Sequence, residues 1–211
     1  MSKWAVVTGA TAGIGESFTR ILAHEGFNIV LVARDLERMK ERATHLESQF
    51  NVKTEIVQAD LATDDGCAKV EKYIRENQIE VLVNNAGFGI NKAFSVSDIN
   101  SEQQLLDVLV RTPMRLMHTV LPQMKDRNSG SIINVSSVAG WIAGGTYSAS
   151  KSYLTVLSES LHTEMSGTAI KISALCPGFT RTEFHERGRM RMNGLPQFMW
   201  LSADRVVLQA W

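Results

Sequence analysis

Short apolar runs alternate along this chain with longer stretches in which apolar residues recur every three or four positions. Trp4 to Val7 is one such run. It leads into Thr8-Gly9-Ala10-Thr11-Ala12-Gly13-Ile14-Gly15, and Glu16 to Ala23 then takes up helical spacing, which predicts strand, tight turn and helix. Phe27 to Ala33 is almost continuously apolar after Gly26, as suits a strand covered on both faces. Asp35 is placed to cap a helix over Leu36 to Phe50, and Val52 to Gln58 predicts a third strand. Thr63 opens a second charged helix over Asp64 to Asn77, and Ile79 to Val83 predicts a fourth strand, followed by Asn84-Asn85-Ala86-Gly87.

The rhythm continues through the second half. Ser97 or Ser101 is expected to cap helical material running through Leu105, Leu109, Leu116 and Val120, which Pro113 should kink or shift. Ser131 to Val135 predicts a fifth strand ending at Ser136-Ser137, then a loop with Gly140, Gly144 and Gly145, and a long helix over Tyr147 to Met165. Ala169 to Leu175 predicts a sixth strand, closed by Pro177-Gly178. From Thr180 to Trp200 the rhythm fails and arginine and methionine accumulate, which reads either as a substrate lid over 180–200 or as a poorly ordered segment. Ser202 is placed to cap a last helix reaching Trp211. Strands alternating with helices in this way predict an α/β fold: a doubly wound parallel sheet, helices on both faces, right-handed crossovers and one domain over 1–211.

Composition narrows the function classes. The formal net charge is +0 over 211 residues, so neither a nucleic-acid wrapping surface nor a polybasic membrane patch is expected. Cys67 and Cys176 suggest no disulfide framework, and no closely spaced cysteine-histidine set suggests a metal. No signal-peptide pattern or membrane-length apolar run is evident, so the expectation is a soluble protein of the reducing cytoplasm.

The first turn carries the first candidate chemistry. Gly9 allows the sharp exit from the strand, Gly13 lets a ligand approach, and Gly15 lets the helix lie close to the sheet, so the first-turn amides face an anion, expected to be a dinucleotide pyrophosphate. The spacing is G-x-x-x-G-x-G, not G-x-G-x-x-G. At the end of the second strand, where an acid would hold both ribose hydroxyls of NAD, stands Arg34. Its guanidinium suits a 2′-phosphate, which favours NADP, although Asp35 is near enough to compete for it. Asp60 is placed either to accept from an adenine amino group or to cap a helix. Tyr147 and Lys151 lie four apart and so share a helix face, where an ammonium would favour phenolate. Together with Ser137 they could pass a proton to or from an alcohol oxygen while hydride moves at carbon. Trp141, Phe179, Phe184, Met190 and Met192 are candidates for an apolar pocket wall around a small or medium substrate.

Thr8-Gly9-x-x-x-Gly13-Ile14-Gly15, Asn84-Asn85-Ala86-Gly87, Ser137, Tyr147-x-x-x-Lys151 and Pro177-Gly178 together resemble the short-chain dehydrogenase/reductase family over nearly the whole chain. The resemblance implies a Rossmann-type fold, an NADP(H) cofactor, and interconversion of an alcohol with a ketone or aldehyde. It implies that Tyr147 is the acid/base, that Lys151 lowers its pKa and holds the nicotinamide ribose, and that Ser137 positions the substrate oxygen. Gly9, Thr11, Gly13, Ile14, Gly15, Arg34, Asp60, Leu61, Asn85, Ala86, Gly87, Pro177, Gly178 and Thr182 would line the cofactor with them. A homodimer or homotetramer built partly on the Tyr147 helix and the long helix before it is implied as well.

The chain departs from the family pattern in three places. Leu109 follows Asp107-Val108 where many members carry an asparagine that holds a water in the proton relay, so the alternatives are a catalytically impaired or noncatalytic NADP-binding protein, a member that routes protons differently, or a leucine that simply packs in the helix while another polar group takes the asparagine's place. Ser137 and Tyr147 lie ten positions apart, a tight loop expected to alter the substrate pocket more than the dyad. Finally, nothing after Trp211 supplies the seventh strand of relatives, and the expectation is a sequence that ends before it.

Overall fold

A computed structural model describes residues 3–184 and 196–211. Six parallel strands form one sheet: β1 (Trp4–Thr8), β2 (Asn28–Ala33), β3 (Thr54–Gln58), β4 (Val81–Asn84), β5 (Gly130–Val135) and β6 (Ile170–Leu175). Their order is β3-β2-β1-β4-β5-β6. Val6 sits between Val30 on one side and Leu82 on the other, a register that keeps the apolar runs in line across the middle of the sheet.

Alternate strand residues point to opposite faces, and both faces are covered. Ala5, Val7, Ile29, Leu31, Val81 and Val83 pack against Phe18 and Leu22 of α1 (Gly13–His24) and Met39 and Leu46 of α2 (Leu36–Phe50). Val6, Val30, Leu82 and Ile132 pack on the other side against α3 (Asp64–Glu76), α5 (Thr112–Asp126) and α6 (Gly145–Glu164), through Val70, Leu116 and Leu154 among others. The expected doubly wound sheet, a Rossmann-type arrangement, is therefore present.

Several local expectations hold. Asp35 accepts from the Arg38 amide, Thr63 from Gly66, and Ser202 from Arg205 at the start of the last helix, α7 (Ala203–Leu208). Others are corrected. Helix α4 (Ile99–Leu106) is capped by Asp98, not by Ser97 or Ser101, because the Ser97 hydroxyl donates to Phe94 O and to Glu102 while Ser101 supplies the amide that Asp98 holds. The last helix stops at Leu208, short of Trp211. Pro113 falls in the first turn of α5, and a π-helical turn over Asp107–Arg111 joins α4 to it. Proline has no N–H to return to the carbonyl four residues back, here that of Leu109, and a wider turn absorbs the change of register.

Beyond β6, two short strands, β7 (Thr180–Arg181) and β8 (Leu201–Ser202), pair in parallel. The central part of the segment read as a lid, including Met190 and Met192, lies outside the described residues. Among the described residues no helix is long and apolar enough to cross a membrane.

Candidate functional site

The strand order reverses between β1 and β4, and ligands of open α/β sheets bind in the crevice at the carboxyl ends of strands at such a point. The two sequence motifs singled out above, the glycine turn after β1 and Asn84 to Gly87 after β4, meet there. Thr8, which the sequence reading did not single out beyond the motif, joins them: its hydroxyl donates to Val83 O and accepts from the amides of Asn85 and Ala86 at 2.9 and 3.1 Å. The Asn85 side-chain amide donates back to Thr8 O and Gly9 O. Asn85 thus holds the turn in shape, and its amide faces protein backbone.

The turn is built for close approach. Gly9 and Gly13 have φ of +65° and +55°. A Cβ at Gly15 would stand 2.2 Å from Gly9 O and 2.3 Å from the Asn85 amide nitrogen, so only glycine lets α1 start this near the strand end. A Cβ at Gly13 would stand 2.7 Å from the Thr182 methyl, which places Thr182 directly over the turn. Helix α1 begins with no side-chain cap, unlike α2 and α3, and its first-turn amides remain aimed at the crevice. Thr11 is buried beside them and Ile14 is half-buried.

Arg34 stands exposed just past β2. Asp35, the expected competitor, turns its carboxylate to the Arg38 amide, so helix capping wins. Asp60 is exposed after β3 and caps no helix: one carboxylate oxygen takes the Ala62 amide, Leu61 beside it is buried, and Thr63 caps α3.

Across the crevice, Ser137 follows β5 and accepts from the Ala139 amide, which fixes the short turn over Val138–Trp141 that shortens the loop to α6. Tyr147 and Lys151 lie in the first two turns of α6. The Ser137 hydroxyl lies near enough to the Tyr147 phenol to favour its ionised form, and the Lys151 Nζ lies 5.6 Å from the centre of the tyrosine ring. Lys151 is buried and donates to Val135 O at 2.6 Å. Burial pushes the phenol up to about 12, outweighing the influence of Ser137, and pushes the ammonium down to about 8. Burial is the largest influence on both groups.

A buried polar network that the sequence reading missed lies beneath them. Asn84 donates to Asn134, which donates to Ser158 of α6, while Ser136 and Thr155 both donate to Lys151 O. Leu109 is buried among apolar residues, and its δ-methyl would touch a Cβ at Gly87 at 2.9 Å. Of the candidate wall residues, Phe184 lies 5.7 Å from the Tyr147 ring, Phe179 turns away to pack on Trp200, and Trp141 is exposed along an open groove with Ile142 and Ser148. A smaller cavity beside Tyr147 is lined by Ile90, Lys92, Phe94, Glu102 and Leu105. Pro177 links the sixth strand to the fifth-strand loop by accepting the Val138 amide, and Gly178 O accepts from Thr180.

Comparison with known proteins agrees with this geometry. A family model described as short chain dehydrogenase matches residues 3–192. The chain is 33% identical over 190 residues to the very-long-chain 3-oxoacyl-CoA reductase of Rattus norvegicus, covering 87% of this chain and 61% of that protein, so it spans about three-fifths of the relative's length. A short-chain dehydrogenase from Sphingobium yanoikuyae, solved in complex with NADPH, superposes with a TM-score of 0.94 at 32% identity, covering 99% of this chain and 82% of that one. The bulky-bulky ketone specific alcohol dehydrogenase from Comamonas testosteroni gives a TM-score of 0.89, also at 32% identity, covering 99% and 80%.

Proposed function

This chain belongs to the short-chain dehydrogenase family, and on that premise we propose that it is an NADP(H)-dependent oxidoreductase interconverting an alcohol with a ketone or aldehyde. The observation that carries this reading is the meeting of Ser137, Tyr147 and Lys151 across the crevice from the glycine turn.

The residues present fit the dinucleotide. The uncapped start of α1, with Gly9, Thr11, Gly13, Ile14 and Gly15, offers amides to the pyrophosphate, and Arg34 offers a guanidinium to the 2′-phosphate. Asp60 and Leu61 are assigned to adenine, Ala86 and Gly87 to a ribose, and Pro177, Gly178 and Thr182 to the nicotinamide end. NADPH in the Sphingobium protein supports this choice of cofactor. A bound reduced nicotinamide would supply hydride to the carbonyl carbon.

The chain's own residues supply the rest. The Ser137 hydroxyl donates to the substrate oxygen and orients it. The Tyr147 hydroxyl gives its proton to the same oxygen. Lys151, a cation beside the ring, stabilises the phenolate left behind. Phe184 beside Tyr147, and exposed Phe94, Trp141 and Ile142 around the opening, suit a carbonyl with bulky apolar substituents, as do the names of the Rattus and Comamonas proteins. The same reading includes a homo-oligomer acting in the cytoplasm.

Tyr147→Phe removes the proton donor and keeps the ring. Turnover of a bulky aryl ketone with NADPH is expected to fall at least about 100-fold, while NADPH affinity, read by energy transfer from tryptophan, stays within about threefold. Retained turnover would remove Tyr147 from the acid/base role. The alternative, a noncatalytic NADP-binding protein, predicts instead that the parent chain binds NADPH without turning it over.

A further inference from the structure

Five consecutive residues after β6 reach three separate parts of the crevice. Thr180 and Arg181 pair with Leu201 and Ser202, which anchors the base of the segment. Thr182 lies over Gly13, and Phe184 lies against Tyr147. Between them Glu183 reaches α2, where Arg38 Nη2 donates to one carboxylate oxygen at 2.7 Å and Nη1 to the other at 3.1 Å, across 145 residues of sequence. This two-bonded contact ties the segment to α2.

The surroundings direct Arg38 to that partner. Among the described residues, the carboxylates that act on it are Glu183, Asp35 and Glu16. Asp35 is occupied with the Arg38 amide, and Glu16 pairs with Arg42 at 2.8 Å. Glu183 is the acid left for the Arg38 guanidinium, and both side chains keep part of their surface in water, 33% and 41%.

We infer that Arg38 and Glu183 form a clasp that holds the segment down on the glycine turn, where Thr182 touches Gly13, and so hems in a dinucleotide seated beside these two residues. The inference rests on the cofactor site proposed above and adds two positioning residues to it. A dinucleotide seated on the turn leaves only when Thr182 moves aside, and Thr182 cannot move far while Glu183 is held. Breaking the pair therefore speeds release of the cofactor. Because the pair is partly solvated, salt should weaken it.

The test is stopped-flow displacement of NADPH and of NADH from the full chain, with Glu183→Gln, Arg38→Met and the charge swap R38E/E183R. Expected is a rise in the dissociation rate of roughly 3- to 10-fold, alike in both single variants and for both dinucleotides. The swap should bring it back to within about twofold of the parent, a rescue that general loss of packing would not give. Parent release should also quicken as salt is raised. An Arg38→Met effect confined to NADPH, with Glu183→Gln unchanged or slower, would overturn the clasp and make Arg38 a direct phosphate ligand. Unchanged rates in every variant would overturn it while leaving the cofactor site standing. Failure of the folded parent to bind either dinucleotide would bring down the cofactor site, and the clasp with it.

Discussion

Lys151 is a lysine that folding takes almost wholly out of water, with Val135 O as acceptor for its ammonium. Burial lowers its pKa from 10.5 to about 8. Between those two values the unfolded chain keeps a proton that the folded chain has released, so stability must rise with pH across that window. Below about pH 8 both states hold the proton and the cost of burying the charge is at its largest, on the order of 3 kcal/mol. Urea unfolding of the parent and of Lys151→Met from pH 7 to pH 10 reads this directly: the parent should gain on the variant as pH rises. A constant difference would mean that Lys151 titrates as an ordinary lysine. The Tyr147–Lys151 pair was legible in the sequence because a helix puts residues four apart on one face, whatever the rest of the fold does. Its electrostatics were not, because burial depends on β5 and the loop after it, and burial outweighs the influence of Ser137 on the phenol. Arg38 and Glu183 carried no local signal, and Thr8 none beyond its place in the motif, since each acts on a partner far away in sequence.

At the scale of elements, strand positions were the most legible feature, since each buried strand is a short apolar run and the sheet needs both its faces covered. Helix starts were legible where the capping side chain had no rival, as at Asp35, Thr63 and Ser202. They were missed at α4, where Ser97, Asp98 and Ser101 all had the right chemistry and the local bond from Ser97 to Glu102 left Asp98 to hold the Ser101 amide. The disturbance at Pro113 was foreseen and its form was not, because a kink, a break and a π-helical turn all relieve the same missing amide. That turn contains Leu109, which packs with Leu105, Val108 and Leu116. Leu109→Asn would bury an amide there among apolar side chains, at a cost of about 1–3 kcal/mol. In a chain of this size the expected fall in Tm is roughly 3–10 °C. Calorimetry of that variant, set beside its turnover, separates packing from proton relay: a gain in turnover despite the loss of stability is what a relay role for position 109 requires, and a stability loss alone assigns the leucine to the core.

At the scale of the whole molecule the site is a line along the carboxyl edge of the sheet, running from the end of β2 through the reversal between β1 and β4 to the start of α6. The sheet order spreads recognition and chemistry over different strands, so one end can be altered while the sheet and the reacting groups stay as they are. Arg34, exposed at the β2 end with Asp35 diverted into helix capping, is the place to do this. Arg34→Asp replaces a partner for a phosphate with a partner for two ribose hydroxyls. Losing one charge-assisted contact and adding repulsion should weaken NADPH binding by about 10- to 100-fold, with NADH equal or tighter. Paired fluorescence titrations of the parent and the variant measure the ratio of the two affinities. An unchanged ratio would place the phosphate away from β2, and with Arg38 held by Glu183 the uncapped start of α1 would become the site to examine for it.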